Sequence, residues 1–249
     1  MLFNTVTLRG LTMRNLVALG FSFVLSGQAL SASLPTAPAN CADSIAEKNY
    51  CAETVVPQGG FPFTLRFFIV VEKEVYPTIE VLLDKYLAFE KWPAYTDTVD
   101  SDSIVFNKSV RLTDKVNTDD TVVARHYYDY KLKSPIGYQK IRGVTHNKRL
   151  ATPYKGAQGT IEFAAQTAGL QEVPVGEKPL NGAEGVRVQT GVINALDCTG
   201  TDLCSDNQWL LIYESSITPS ITLLPKVAAS SVERGLETVL IGMLFNSVE

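Results

Sequence analysis

Apolar and polar residues alternate with a period of two over Phe61–Glu74: Phe63, Leu65, Phe67, Ile69 and Val71 fall on one side, Thr64, Arg66, Phe68 and Val70 on the other. That period predicts a long strand. The spacing then becomes helical over Val75–Tyr95, where Ile79, Leu82, Leu83, Tyr86, Leu87 and Phe89 share a stripe opposite Glu80, Asp84, Lys85 and Lys91. Pro77 suits a first helical turn, and Pro93 either stops the helix or breaks it into two short ones. Six further strands are predicted, at Ser103–Leu112, Thr121–Lys133, Tyr138–Lys148, Gln158–Gln166, Gly185–Leu196 and Gln208–Thr218. Between them lie turn signals: NTDD from Asn117, SPIG from Ser134, a longer loop over Val173–Gly185, and a hairpin end at Asp197–Asn207 with two cysteines. The longest helical signal comes last. Ala228, Val232, Leu236, Val239, Leu240, Met243 and Leu244 form its stripe, with Ser230, Glu233, Arg234, Glu237 and Asn246 mainly off it. Gly235 and Gly242 fall inside this helix, where each costs about 1 kcal/mol against alanine. Either a neighbour approaches closely there or the positions are exposed and have no role.

The order of strand, broken helix, many antiparallel strands and long helix predicts an α+β fold. A sheet built from hairpins must cover one apolar face, and only the final helix is large enough to do so. The expected architecture is a helix grip, a curved antiparallel sheet around a long C-terminal helix, with space left between them. The strand TVVARHYYDYKLK bears on that space. One of its faces carries Val122, Ala124, His126, Tyr128, Tyr130 and Leu132, and the other Val123, Arg125, Tyr127, Asp129, Lys131 and Lys133. The first face is apolar at its ends and aromatic with polar tips in the middle, which suits the wall of a pocket. QWLLIYESSIT likewise sets Trp209, Leu211 and Tyr213 on one face and Glu214 on the other. Such rings offer apolar area with one polar tip to an amphipathic guest. Taken singly, each is equally explained by ordinary core packing.

The N-terminus divides from the rest on composition. Arg9 and Arg14, the apolar run Leu16–Leu25 and the small residues Ser26–Ser33 make residues 1–33 an expected signal peptide. The run is shorter than the roughly 20 residues a membrane span needs. Residues 34–60 form a linker with a cysteine loop, and 61–249 the main domain. The four cysteines, Cys41, Cys51, Cys198 and Cys204, allow three connectivities; in an exported chain, pairing of sequence neighbours is the natural reading. The expected location is periplasmic or secreted.

A net charge of −4 gives no reason to expect nucleic acid as a partner. The charge is uneven, however. Lys131, Lys133, Lys140, Arg142, Lys148, Arg149 and Lys155 fall in one window without Asp or Glu. The window is either a solvated sheet face or a mouth that attracts an anionic headgroup or membrane surface.

Catalytic signals are sparse. The two histidines, His126 and His146, lie on separate predicted strands, whereas an imidazole-based metal site needs both with a carboxylate; no metal and no cofactor are expected. There is no G-x-S-x-G element and no phosphate-binding glycine loop. Asp119 and Asp120 sit in a turn. The ligand-binding candidates are His126, Tyr128, Tyr130, Trp209, Tyr213 and Arg142, and none is assigned a catalytic role.

Three stretches resemble the START-like, or SRPBCC, superfamily of helix-grip proteins, which includes polyketide-cyclase-like and lipid-transfer domains. They are VYPTIEVLLDKYLAFEKWPAYTDTV with its Trp-Pro turn, the strand succession containing ARHYYDY, and SSVERGLETVLIGML as a closing amphipathic helix. The resemblance spans Phe61 to Val248. The export signal and both cysteine-bounded segments depart from the family pattern. What the resemblance implies is a cavity for a lipid or other hydrophobic small molecule between the sheet and the last helix. It implies no single reaction. A cyclase- or hydrolase-type enzyme using His126 and a tyrosine in the same cavity is one alternative. An envelope interaction module whose pocket is filled by side chains is another.

Overall fold

The computed structural model describes residues 34–112, 116–118, 121–199, 201–220 and 223–246. Residues 1–33, read above as a signal peptide, lie outside the described residues, as do Asp119 and Asp120. The elements are α1 (Cys41–Lys48), β1 (Tyr50–Val55), β2 (Phe63–Glu72), α2 (Ile79–Leu87), a 3-10 turn (Phe89–Lys91) and α3 (Trp92–Asp97). There follow β3 (Ile104–Arg111), β4 (Val116–Thr118), β5 (Thr121–Ser134), β6 (Gly137–Arg149), β7 (Gly159–Thr167), β8 (Glu184–Asp197), β9 (Gln208–Pro219) and α4 (Pro225–Phe245). The six strands and the closing helix expected from periodicity are all present.

The helical segment after β2 is broken, at a different place from the proline. Thr78 caps α2 by accepting from the Val81 amide, so Pro77 stands just before the cap. Ile79, Leu82, Leu83, Tyr86 and Leu87 are its buried stripe. Ala88, at φ −83° and ψ 55°, leaves helical geometry and ends it. Pro93 therefore sits in the first turn of α3, where its missing N–H costs nothing. Trp92 ties the two pieces together by donating its indole N–H to the Tyr86 carbonyl at 3.2 Å.

The strands form one sheet in the order β1-β2-β9-β8-β7-β6-β5-β3, with β4 also paired to β5. Its curvature follows from what its two edges touch. At one edge, Tyr50 and Thr54 of β1 donate to Glu237 and Glu233 of α4. At the other, Ile104 of β3 lies beside Gly235 of the same helix. A sheet whose first and last strands both reach one helix is wrapped around it. The structure is the α+β helix grip that the element order predicts.

Both helical glycines are close-approach sites. A Cβ on Gly242 would lie 2.4 Å from the Tyr95 carbonyl oxygen, and one on Gly235 2.6 Å from Leu132 Cδ1. Tyr76 fastens the end of α4 by donating its hydroxyl to the Leu244 carbonyl at 2.8 Å.

The main core fills the inner face of the sheet. Phe63, Leu65, Phe67, Ile69 and Val71 pack there with α2 and with Ala228, Leu240, Met243 and Leu244 of α4. The outer face is not simply polar. Phe68, Val70, Leu210 and Ile212 form a second cluster beneath α1, closed by both disulfides, Cys41–Cys51 and Cys198–Cys204. This explains why β2 carries Phe68 and Val70 on its nominally polar side. Farther along the outer face, fully buried Asp129 accepts from Tyr127 Oη (2.9 Å), Asn107 Nδ2 (2.8 Å) and the Leu180 amide (3.1 Å), which holds the loop between β7 and β8 against the sheet.

Candidate ligand cavity

A cavity of about 60 Å³ lies where the sheet and α4 diverge. β5 contributes Tyr128 and Tyr130, β9 Tyr213, β7 Phe163 and Ala165, β6 Thr145, and β8 Gln189. The helical side contributes Tyr86, Phe89, Trp92, Leu236, Val239 and Leu240, and β3 adds Ile104 and Phe106. The inward alternation of β5 and β9 puts the three expected tyrosines on this wall. Tyr128 has room to lie across the sheet because the residue opposite it on β6 is Gly143, whose absent Cβ would meet the ring at 2.4 Å.

No lining side chain carries a charge. The polar groups of the lining side chains are four phenols, the Trp92 indole N–H, Thr145 and Gln189. Gln189 donates to Tyr213 Oη at 2.9 Å and to Ser215 Oγ at 3.0 Å. Burial pushes the Tyr128 hydroxyl up to about 12 and also raises Tyr86, Tyr130 and Tyr213. These hydroxyls are therefore neutral hydrogen-bonding groups rather than bases. The volume admits a few waters and falls well short of the roughly 300–1,000 Å³ of sites that enclose small molecules. In this conformation the hollow is closed by rings: Phe89 stacks on Trp92 at 4.1 Å, and Tyr128 on Tyr130 at 5.6 Å.

The other three candidates are elsewhere. His126 is on the inner face and fully buried, but it lies behind Phe89, whose ring stacks on its imidazole at 3.8 Å. Asn147 Nδ2 approaches His126 Nδ1 at 3.2 Å, and Nε2 has no partner. Burial, and then the positive charge of Arg111, push His126 down to about 3, so it is neutral. Trp209 is on the inner face with Leu211 and Tyr213, in the main core away from the cavity. It donates to the Tyr76 carbonyl at 2.6 Å, with the Lys73 ammonium 4.4 Å above its ring. Arg142 is on the outer face. Its register partner is Asp129, and its Nε donates to the Ala168 carbonyl at 3.1 Å. A headgroup contact into the cavity is closed to it because Ile141 and Gly143, its neighbours on β6, take the inward positions.

The basic window is not one patch. The β5–β6 hairpin turns at Ser134–Gly137, so Lys131, Lys133 and Lys140 stand near the turn and Lys148 and Arg149 at the far end, roughly 30 Å away. Lys133 pairs with Asp102, Arg149 with Glu80 at 2.9 Å, and Lys140 donates to the Asn181 carbonyl at 2.9 Å.

Sequence reasoning missed Tyr86, Phe89, Phe106, Phe163 and Gln189 as lining residues. Their apolar or alternating positions were legible, but their convergence depends on strand order. It also missed a set of orphaned polar atoms beside the cavity: Ser109 Oγ, Arg111 Nε, His126 Nε2 and Asn147 Oδ1 are buried without partners. Each such atom costs about 1–3 kcal/mol.

No protein-family model and no curated protein matches the sequence. Solved structures do match by shape. A STAR-related lipid transfer protein from Xanthomonas axonopodis superposes with a TM-score of 0.52 at 13% identity, covering 80% of this chain and 93% of that one. The fold is START-like. Human STARD10 and the human StarD13 lipid transfer and protein localization domain are more distant, each with a TM-score of 0.47, at 11% and 12% identity. They cover 85% and 80% of this START-like chain, and 82% and 84% of their own. Among the described residues no helix is long and apolar enough to cross a membrane.

Proposed function

We propose that this START-like domain is an exported, non-catalytic binder of a hydrophobic small molecule, which it holds between the inner face of the sheet and α4. The observation that carries this reading is the cavity lining. It is aromatic and aliphatic, is tipped by neutral hydroxyls, and lies between the inner face of the sheet and α4. Similarity in fold to the Xanthomonas STAR-related lipid transfer protein supports it. The two disulfides support export. A guest enters by displacing rings, since the present hollow is too small. The drive is apolar burial, about 0.8 kcal/mol per methylene removed from water. The enzyme alternative is less favoured, because His126 is walled off from the cavity and the tyrosines are poor bases.

Native mass spectrometry of protein from an exported preparation tests the reading. A bound apolar guest is expected, or uptake of an environment-sensitive fluorescent fatty alcohol that competes with unlabelled lipid. Empty protein that takes up neither probe would overturn it. The small volume favours one rival, a packed interaction module, and that result would leave the rival standing.

A further inference from the structure

Behind Phe89 lies a group of polar atoms that no neighbouring protein atom satisfies. Arg111 of β3 and His126 of β5 face each other in the ladder, and Ser109, two residues along β3 on the same face, stands opposite Tyr128. Asn147 of β6 completes the group through its contact with His126 Nδ1. His126 is fully buried and Asn147 is 1% exposed. Because Nδ1 faces the Asn147 amide, the imidazole proton belongs on Nε2, where it finds no acceptor. Arg111 uses one terminal nitrogen on the Leu87 carbonyl and on Glu90, leaving its buried Nε–H unused. Ser109 Oγ adds a third available O–H or N–H. Three unused donors, one of them on the Arg111 guanidinium, therefore lie on neighbouring same-face positions of β3 and β5. Glu90 forms an ion pair with the Arg111 guanidinium at 3.1 Å through that same terminal nitrogen, and the Arg111 side chain is 29% exposed.

Phe89 separates this group from the tyrosine-lined hollow. It borders the cavity while its ring is stacked between His126 and Trp92. It also belongs to the three-residue 3-10 turn between α2 and α3, the least regular part of the helical cover.

We infer that Ser109, Arg111 and His126, with Asn147 setting the His126 tautomer through Nδ1, form a head-group subsite for an apolar monocarboxylic acid, whose tail occupies the tyrosine-lined cavity once Phe89 swings aside. This rests on the cavity reading and deepens it. A carboxylate is the acceptor-only group that several neighbouring donors satisfy best, and away from water it needs the guanidinium as well as the hydrogen bonds. A neutral alcohol uses at most part of the set.

The test compares decanoate with 1-decanol on the intact domain at neutral pH, by displacement of a fluorescent probe, together with nitrogen NMR of the two histidines. Decanoate is expected to bind about tenfold or more tightly than decanol, and the ring-nitrogen signals of His126 to move while those of His146 stay. In His126→Gln the acid-to-alcohol ratio is expected to fall toward parity, and in Ser109→Ala by about two- to threefold. Decanol binding as tightly as decanoate, or His126 signals that do not move on saturation with acid, overturns the subsite and leaves the cavity reading intact. Binding of neither probe overturns both.

Discussion

Single residues in this fold are constrained by what lies directly opposite them. Gly242 is the clearest case. Helix propensity alone predicts that alanine stabilises α4 by about 1 kcal/mol, whereas the Tyr95 backbone carbonyl occupies the space its methyl needs. Gly242→Ala is expected to destabilise by about 1–3 kcal/mol in urea unfolding. Gly235→Ala is expected to be close to neutral, because its obstacle is the flexible end of Leu132. Equal effects would contradict the close packing of α4 on α3. His126 gives a second prediction. Its folded value, about 3, lies below the ordinary 6.5 because of burial and the facing Arg111. The unfolded chain therefore takes up the proton first. The stability His126 contributes is complete above about pH 6.5 and is lost as the pH falls toward 3. Wild type is expected to lose more stability than His126→Gln between about pH 7 and pH 4, and parallel curves would count against the buried neutral imidazole. Arg142 shows the limit of reading charge without a face. A window of like charge along the sequence gave no side, and the register against Asp129 decided it.

At the level of elements, long periodic segments were legible and short ones were not. The six later strands and α4 each bury enough of one face to leave a period in the sequence. α1 has eight residues and β1 six, lengths at which neither periodicity nor intrinsic stability is informative. Their structure depends on the Cys41–Cys51 bond and on packing over Phe68 and Val70. Replacing both cysteines with serine is expected to cost about 2–3 kcal/mol. It should also increase binding of a hydrophobic dye as α1 lifts from Phe68, Val70, Leu210 and Ile212. Unchanged stability with no dye binding would mean that α1 holds without its bond. The break between α2 and α3 was expected at Pro93 and occurs at Ala88. Proline is well placed in a first helical turn, so it marks a beginning as readily as an end.

At the scale of the whole molecule, alternation fixed which residues face inward, and the sheet order decided which of them meet. Tyr128, Tyr130 and Tyr213 were accessible to reading because each sits in a clean period of two. Tyr86, Phe89 and Phe163 join them only through strand and helix neighbours far away in the chain. The orphaned donors behind Phe89 were out of reach for the same reason, since three separate strands supply them. The clasp of both sheet edges by α4 has a further consequence. That helix follows every described strand in chain order, so the sheet lacks its central post until the whole of it has been delivered. Folding of such a polypeptide is completed late, and were it to thread a translocation channel unfolded it would gain time from having its keystone laid last.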